Sequence, residues 1–245
     1  MDRRDVLLAA GAAALPSAPA LRVALPATWG PPFVMADGGP GPAGILPDLM
    51  HLLGLEMGVP VEWVRLPAMR AVTAMEAGEV DLQCPMHPDW WGSPVSAGRW
   101  SAPILTLRDV LVAAPDGPTH WPVKPVPSHP WRVGTVHGYL YPALKSEFVS
   151  GRMIRDDAPD QAAVLAKLAR SRVPVGVVNE YALHAFNRER ARHEGLRLLR
   201  VVSEVETRCL LAPQPRHEPR LILEALDRLR QSGRLKAVLD KYRRS

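Results

Sequence analysis

Apolar and polar positions along the chain follow two periods, and the period switches repeatedly. Short runs rich in Val and Leu predict strands, and stretches with apolar residues three and four apart predict helices. Leu21–Leu25 opens the series as a strand, Leu46–Met57 follows as a helix stopped by Gly58, and Val61–Leu66 is the next strand. Ala68–Ala77 predicts a helix with Val72 and Met75 at core spacing and Gly78 as its stop. Val80–Gln83 and Val110–Ala113 continue the alternation as strands. Pro115–Pro130 then interrupts it with six prolines and no period, as a connector would. Beyond it the strands Arg132–Val136, Met153–Arg155 and Val175–Val178 alternate with the helices Pro142–Val149, Gln161–Arg170 and Tyr181–Arg192. Leu198–Val202 and Cys209–Ala212 add two strands, and the helices Glu218–Gln231 and Arg234–Tyr242 close the chain. The pattern predicts an α/β protein with mostly parallel sheets flanked by helices.

The first residues break the pattern. Met1–Ala20 carries Arg3-Arg4, an apolar stretch from Val6 to Leu15, and Ala18-Pro19-Ala20. That is the layout of an export signal with an A-x-A cleavage site, too short to span a bilayer. Arg3-Arg4 followed by Val6-Leu7 resembles a twin-arginine signal. The mature chain is expected to start near Leu21, in the periplasm, where a disulfide persists.

The 245 residues, less this leader, leave room for two lobes of roughly 100 residues each. Apolar residues make up 47%, enough for real cores. The net charge of +5 falls largely on Phe186–Arg200, where Arg and Glu interleave without aromatics. This reads as a solvated helix face, so no nucleic-acid partner is expected.

Four segments resemble the family-3 (amino-acid type) extracytoplasmic solute-binding proteins of ABC transporters. They are Leu21–Leu25 with Trp29 and Pro32-Phe33; Gly44-Ile45-Leu46-Pro47-Asp48-Leu49; Met75-Glu76-Ala77-Gly78-Glu79-Val80-Asp81; and Leu229–Leu235 with Leu239-Asp240-Lys241-Tyr242. The resemblance implies the two-lobed type II periplasmic-binding-protein fold. Lobe 1 would hold residues 21–114 and 209–245, and lobe 2 residues 115–208, with two crossovers and a ligand cleft between them. It also implies that the strand begun by Cys209 lies antiparallel beside Val80–Gln83, which would bring Cys84 and Cys209 together as a disulfide.

The sequence departs from the family at the ligand anchors. The Arg that clamps an α-carboxylate is missing from Cys84–Gly92, and the position of the ammonium-binding Asp falls near Asn179. Gly138-Tyr139 stands where the family has Gly-Thr. Candidate ligand contacts are therefore Trp29, His87, Trp90, Trp91, Tyr139, Asn179 and Glu180, with Arg70 as a substitute anion clamp. A ligand with one acidic group and a flat or apolar body is expected.

Catalytic and cofactor signatures are weak. The G-x-G-x-x-G of Gly39–Gly44 contains Pro40 and Pro42, which lack the N–H groups a pyrophosphate needs. No cofactor and no metal are expected. The resulting expectation is a monomeric binding protein, not an enzyme, that hands a small solute to a membrane permease or sensor. The alternative is a cyclohexadienyl-dehydratase-like enzyme on the same fold, with Glu180 or His87 as its general acid.

Overall fold

The computed structural model describes residues 18–35, 41–91, 99–120, 130–191 and 194–244. Most of the expected leader, the start of the glycine–proline stretch and the end of the Cys84–Gly92 segment lie outside them. Among the described residues no helix is long and apolar enough to cross a membrane.

Eight strands form the sheet order β2-β1-β3-β8-β4-β7-β5-β6. The first part of the chain supplies β1 (Leu21–Pro26), α1 (Ile45–Met57), β2 (Val61–Leu66), α2 (Ala68–Glu76), β3 (Leu82–Met86), α3 (Pro88–Trp91) and β4 (Leu105–Ala113). The next part supplies β5 (Trp131–Val136), α4 (Lys145–Val149), β6 (Met153–Ala158), α5 (Gln161–Ala169), β7 (Val175–Asn179) and α6 (Glu180–Arg188). The chain returns through β8 (Arg197–Leu211) and ends in α7 (Pro219–Gln231) and α8 (Arg234–Arg244). β1 runs parallel to β2 and β3, and β5 parallel to β6 and β7. β8 is antiparallel to both β3 and β4.

The apolar side chains gather in two halves. Leu21, Phe33, Leu46, Leu105, Leu107 and Leu229 share one core with Cys84 and Cys209. Val110, Val136, Val164 and Leu168 belong to the other. β4 thus leaves the first core after Leu107 and enters the second at Val110. β8 makes the reverse crossing between Val202 and Val205. The expected boundaries at Pro115 and Cys209 sit at the ends of these strands, whereas the packing changes sides within them.

Two expected elements merge. Leu198–Val202 and Cys209–Ala212 are parts of one 15-residue strand, β8. Its middle carries Glu204, Glu206 and Arg208 on positions that reach solvent at the neck between the halves, so no hydrophobic run marks it. Val72 is also reassigned: it is 39% exposed, while Met75 is fully buried.

Two local devices hold the first half. Gly44 has φ +124, and a Cβ there would lie 2.6 Å from the Phe33 carbonyl oxygen. That close approach lets the Ile45 and Leu46 amides donate to Pro32 and Phe33 carbonyls at 3.0 Å each. The loop bearing Trp29 is thereby fastened to the start of α1. The Asp81 carboxylate, fully buried, accepts from the Arg22 guanidinium at 2.7 Å and from the Arg216 amide at 2.8 Å. Burial alone would raise its pKa, but these donors outweigh it and the net shift is downward.

Cys84 and Cys209 are joined in a disulfide, with Cα atoms 4.4 Å apart. The antiparallel register that pairs Leu82 with Leu211 and Gln83 with Leu210 puts the two cysteines opposite each other.

Candidate functional site

The carboxyl ends of β1, β3, β5 and β7 turn towards a common cavity of about 320 Å³, as ligand sites in open α/β sheets do. The first half contributes Thr28 and Trp29 after β1, Ala71 and Val72 from α2, Gln83, Pro85 and Met86 around β3, and Trp90 from α3. The second half contributes Gly138, Tyr139 and Leu140 after β5, Gln161 at the start of α5, and Asn179 at the end of β7. Leu107 and Asp109 join them from β4, where that strand changes cores. Pro67 breaks the chain between β2 and α2, and that start brings Val72 to the cavity.

Each wall is anchored. The Arg155 guanidinium donates to the Tyr139 carbonyl and to the Val136 carbonyl, both at 2.9 Å. The Val136 amide donates to the Tyr141 hydroxyl at 3.0 Å, which closes the Val136–Tyr141 turn. Asn179 caps α6: its side-chain oxygen accepts from the Tyr181 amide at 3.0 Å. Gln161 accepts from the Asn179 amide at 2.7 Å. At α5 the Asp160 carboxylate accepts from the Ala163 amide at 2.7 Å. One first-turn amide of each helix, Ala163 in α5 and Tyr181 in α6, is thus engaged by a side-chain oxygen and closed to an anion.

Contacts also run between the halves. The Tyr139 hydroxyl donates to Thr28 Oγ1 at 3.2 Å, and burial pushes its pKa up to about 12, so it remains a donor. Phe33 meets Tyr181 edge-on with ring centroids 5.6 Å apart.

Asp109 also lines the cavity and is not among the candidates read from the sequence. Burial pushes its pKa up to about 6, against the hydrogen bond from Ser203 Oγ at 3.3 Å. Its second carboxylate oxygen takes no hydrogen bond from a described residue. Gln83 Oε1 is buried and without a donor among the described residues. No Lys, Arg or His is among the described residues lining the cavity.

The expected ligand contacts separate into two groups. Trp29, Trp90, Tyr139 and Asn179 line the cavity. Arg70, His87 and Glu180 do not. Arg70 is 58% exposed in its side chain and pairs with Glu79 at 3.4 Å, away from the clamp position expected of it. Glu180 lies 3.7 Å from Arg108, and His87 packs beside Trp90 with centroids 5.8 Å apart. Trp91 ends the short helix α3, and its side chain lies outside the described residues. An Arg-Asp pair inside an otherwise apolar stretch, Leu107-Arg108-Asp109-Val110-Leu111, and a Gln inside β3 were the signals available for Asp109 and Gln83.

No protein-family model and no curated protein sequence matches the chain. Solved structures do. An ancestral arginine-binding protein bound to arginine superposes with a TM-score of 0.72 at 18% identity, covering 91% of this chain and 97% of that one. The chain has the two-lobed type II periplasmic-binding-protein fold. An ancestral amino-acid-binding protein, a precursor of cyclohexadienyl dehydratase, gives 0.73 at 15% identity over 91% of this chain and 95% of its own. A histidine kinase sensor domain with similarity to periplasmic binding proteins gives 0.70 at 18% identity, over 91% and 95% of the two chains. At these identities the likeness is one of fold, and within it the lobes meet at β4 and β8.

Proposed function

We propose that the chain is an extracytoplasmic binding protein that closes its lobes on a small solute and hands it to a membrane permease or sensor. The observation that carries this reading is the cavity itself. Residues from both lobes line it, and Tyr139 reaches across it to Thr28. A site shared between two lobes couples ligand binding to their closure, which is what a transporter or sensor reads. The residues proposed to touch the solute are Trp29, Trp90, Tyr139 and Asn179, with Asp109 and Gln83 added. Lobe 1 comprises residues 21–114 and 209–245 and lobe 2 residues 115–208, with the pivot inside β4 and β8.

The disulfide and the leader pattern support export to an oxidising compartment. Cell fractionation with amino-terminal sequencing tests this: a mature start near Leu21 supports it, and intact Met1 confined to the cytoplasm overturns it. A thermal-shift screen over amino acids, amines, carboxylates and small sugars tests solute binding, because a ligand of the folded state raises the melting temperature.

A dehydratase reading draws on one group, Asp109, whose raised pKa suits a general acid. Glu180 and His87, the acids suggested by sequence, do not line the cavity. Consumption of prephenate or arogenate by the purified protein would establish that reading, and none is expected.

A further inference from the structure

We infer that the cleft selects a protonated primary or secondary amine with a flat or branched apolar body, held at nitrogen by Asp109. This rests on the solute-binding reading and names the ligand class of the same site.

The cavity contains an unused acceptor. One Asp109 oxygen takes the Ser203 hydroxyl and the other takes none from the described residues. Gln83 Oε1 is buried without a donor, while its Nε2 is spent on Met86 Sδ at 3.0 Å. The Gln83 oxygen is closed off from the cavity, whereas the Asp109 carboxylate lines it with one oxygen unpaired among the described residues, so the group that belongs there brings N–H or O–H donors. A carboxylate brings none. A zwitterionic amino acid adds a carboxylate for which no cation lines the cavity among the described residues, and one first-turn amide of each of α5 and α6, Ala163 and Tyr181, is already taken by Asp160 and Asn179.

The remaining lining suits the rest of such a ligand. Trp29, Trp90 and Tyr139 offer aromatic surface, and a cation beside an indole is attracted by the ring as well as by the carboxylate. Val72, Met86, Leu107 and Leu140 give the apolar contact area. A quaternary ammonium would satisfy the charge but donate no hydrogen bond to the Asp109 carboxylate, so an N–H donor is preferred. This replaces the acidic ligand that the sequence suggested, because the clamp assigned to Arg70 is not at the cavity.

The test is calorimetry on the purified full chain with four probes of similar size: benzylamine, benzyl alcohol, benzoate and L-phenylalanine. Benzylamine is expected to bind at least about tenfold more tightly than each of the others. Asp109→Asn should abolish that preference, with the variant still melting cooperatively. Should Asp109→Asn fail to fold, pH supplies the check on the unaltered protein. Benzylamine keeps its charge, so its affinity should fall about tenfold one pH unit below the Asp109 pKa of about 6. Asp109 is faced by Ser203 from β8, by Asn179 across β7, and by the phenols of Tyr139 and Tyr141, which burial keeps neutral. Tighter binding of benzoate or L-phenylalanine overturns the amine proposal and leaves solute binding standing. Silence of benzylamine alongside a hit elsewhere in the thermal-shift screen does the same. Silence of the whole screen overturns both.

Discussion

The Tyr139 hydroxyl sits 3.2 Å from Thr28 Oγ1 and so ties the turn after β5 to the loop after β1. One neutral hydrogen bond of this kind contributes about 1 kcal/mol, comparable with the bias that sets how often two lobes stand open. Tyr139→Phe keeps the ring and removes the bond. The ligand-free variant is expected to be more open, with a larger radius of gyration by small-angle scattering and a several-fold weaker affinity for any ligand that closes the lobes. An unchanged scattering profile and affinity would show that the bond does not hold the lobes.

Asp109 should be a liability to the empty protein. Its folded pKa lies above its unfolded value, so the native state binds the proton more readily and gains stability as pH falls from about 6 towards 4. Above pH 6 the ionised, desolvated carboxylate is a cost throughout. Asp109→Asn is therefore expected to raise ligand-free stability at neutral pH by about 1–2 kcal/mol, with the gain shrinking towards pH 4. Urea melts at the two pH values measure it.

Asp81 should behave in the opposite sense. Its pKa is lowered in the fold, so the stability it contributes is present above its unfolded value near pH 4 and is lost as pH falls through the lower folded value. Asp81→Asn strands the Arg22 guanidinium, which is only 11% exposed, and is expected to cost about 3 kcal/mol. Arg70→Ala breaks only an exposed pair with Glu79 and should leave stability within about 0.5 kcal/mol and ligand affinity within about twofold.

The disulfide spans a sequence separation of 125 residues. Chain-entropy arguments assign a ring of that length roughly 4–5 kcal/mol, a model-dependent value that engineered cases seldom reach in full. Cys84→Ser with Cys209→Ser is expected to lower the urea midpoint markedly, and reduction of the unaltered protein should reproduce the loss. Equal stability before and after reduction would contradict it.

The α/β order was legible because helices and strands here have clean periods and glycine stops, as at Met57-Gly58 and Ala77-Gly78. The neck was not. β8 alternates with charged residues over Ser203–Arg208 because solvent reaches it there, and a pattern search divides it in two. The same neck hid Asp109, whose place in β4 follows from pairing with β7 and β8 rather than from its own neighbours. Trp29 and Tyr139 could be placed beside the cavity because their loops follow strands that the sequence marks well. Arg70 was misplaced because periodicity locates a residue on a helix without saying which way that helix faces the cavity; its neighbours Ala71 and Val72 face it instead.

The crosslink between Cys84 and Cys209 also changes what a cut would do. Every strand and helix of lobe 2 lies between the two cysteines, so that lobe is an insert held, with residues 85–114 of lobe 1, in a covalent ring closed where the two Cα atoms stand 4.4 Å apart. Local unfolding of such an insert exposes it to proteases while the frame around it persists. A single cleavage anywhere in the insert creates two polypeptides that remain one covalent body, with all of lobe 1 retained. The nicked protein would run at full mass on a gel until a reductant separates the pieces, and lobe 1 would be spared the loss of its C-terminal helices.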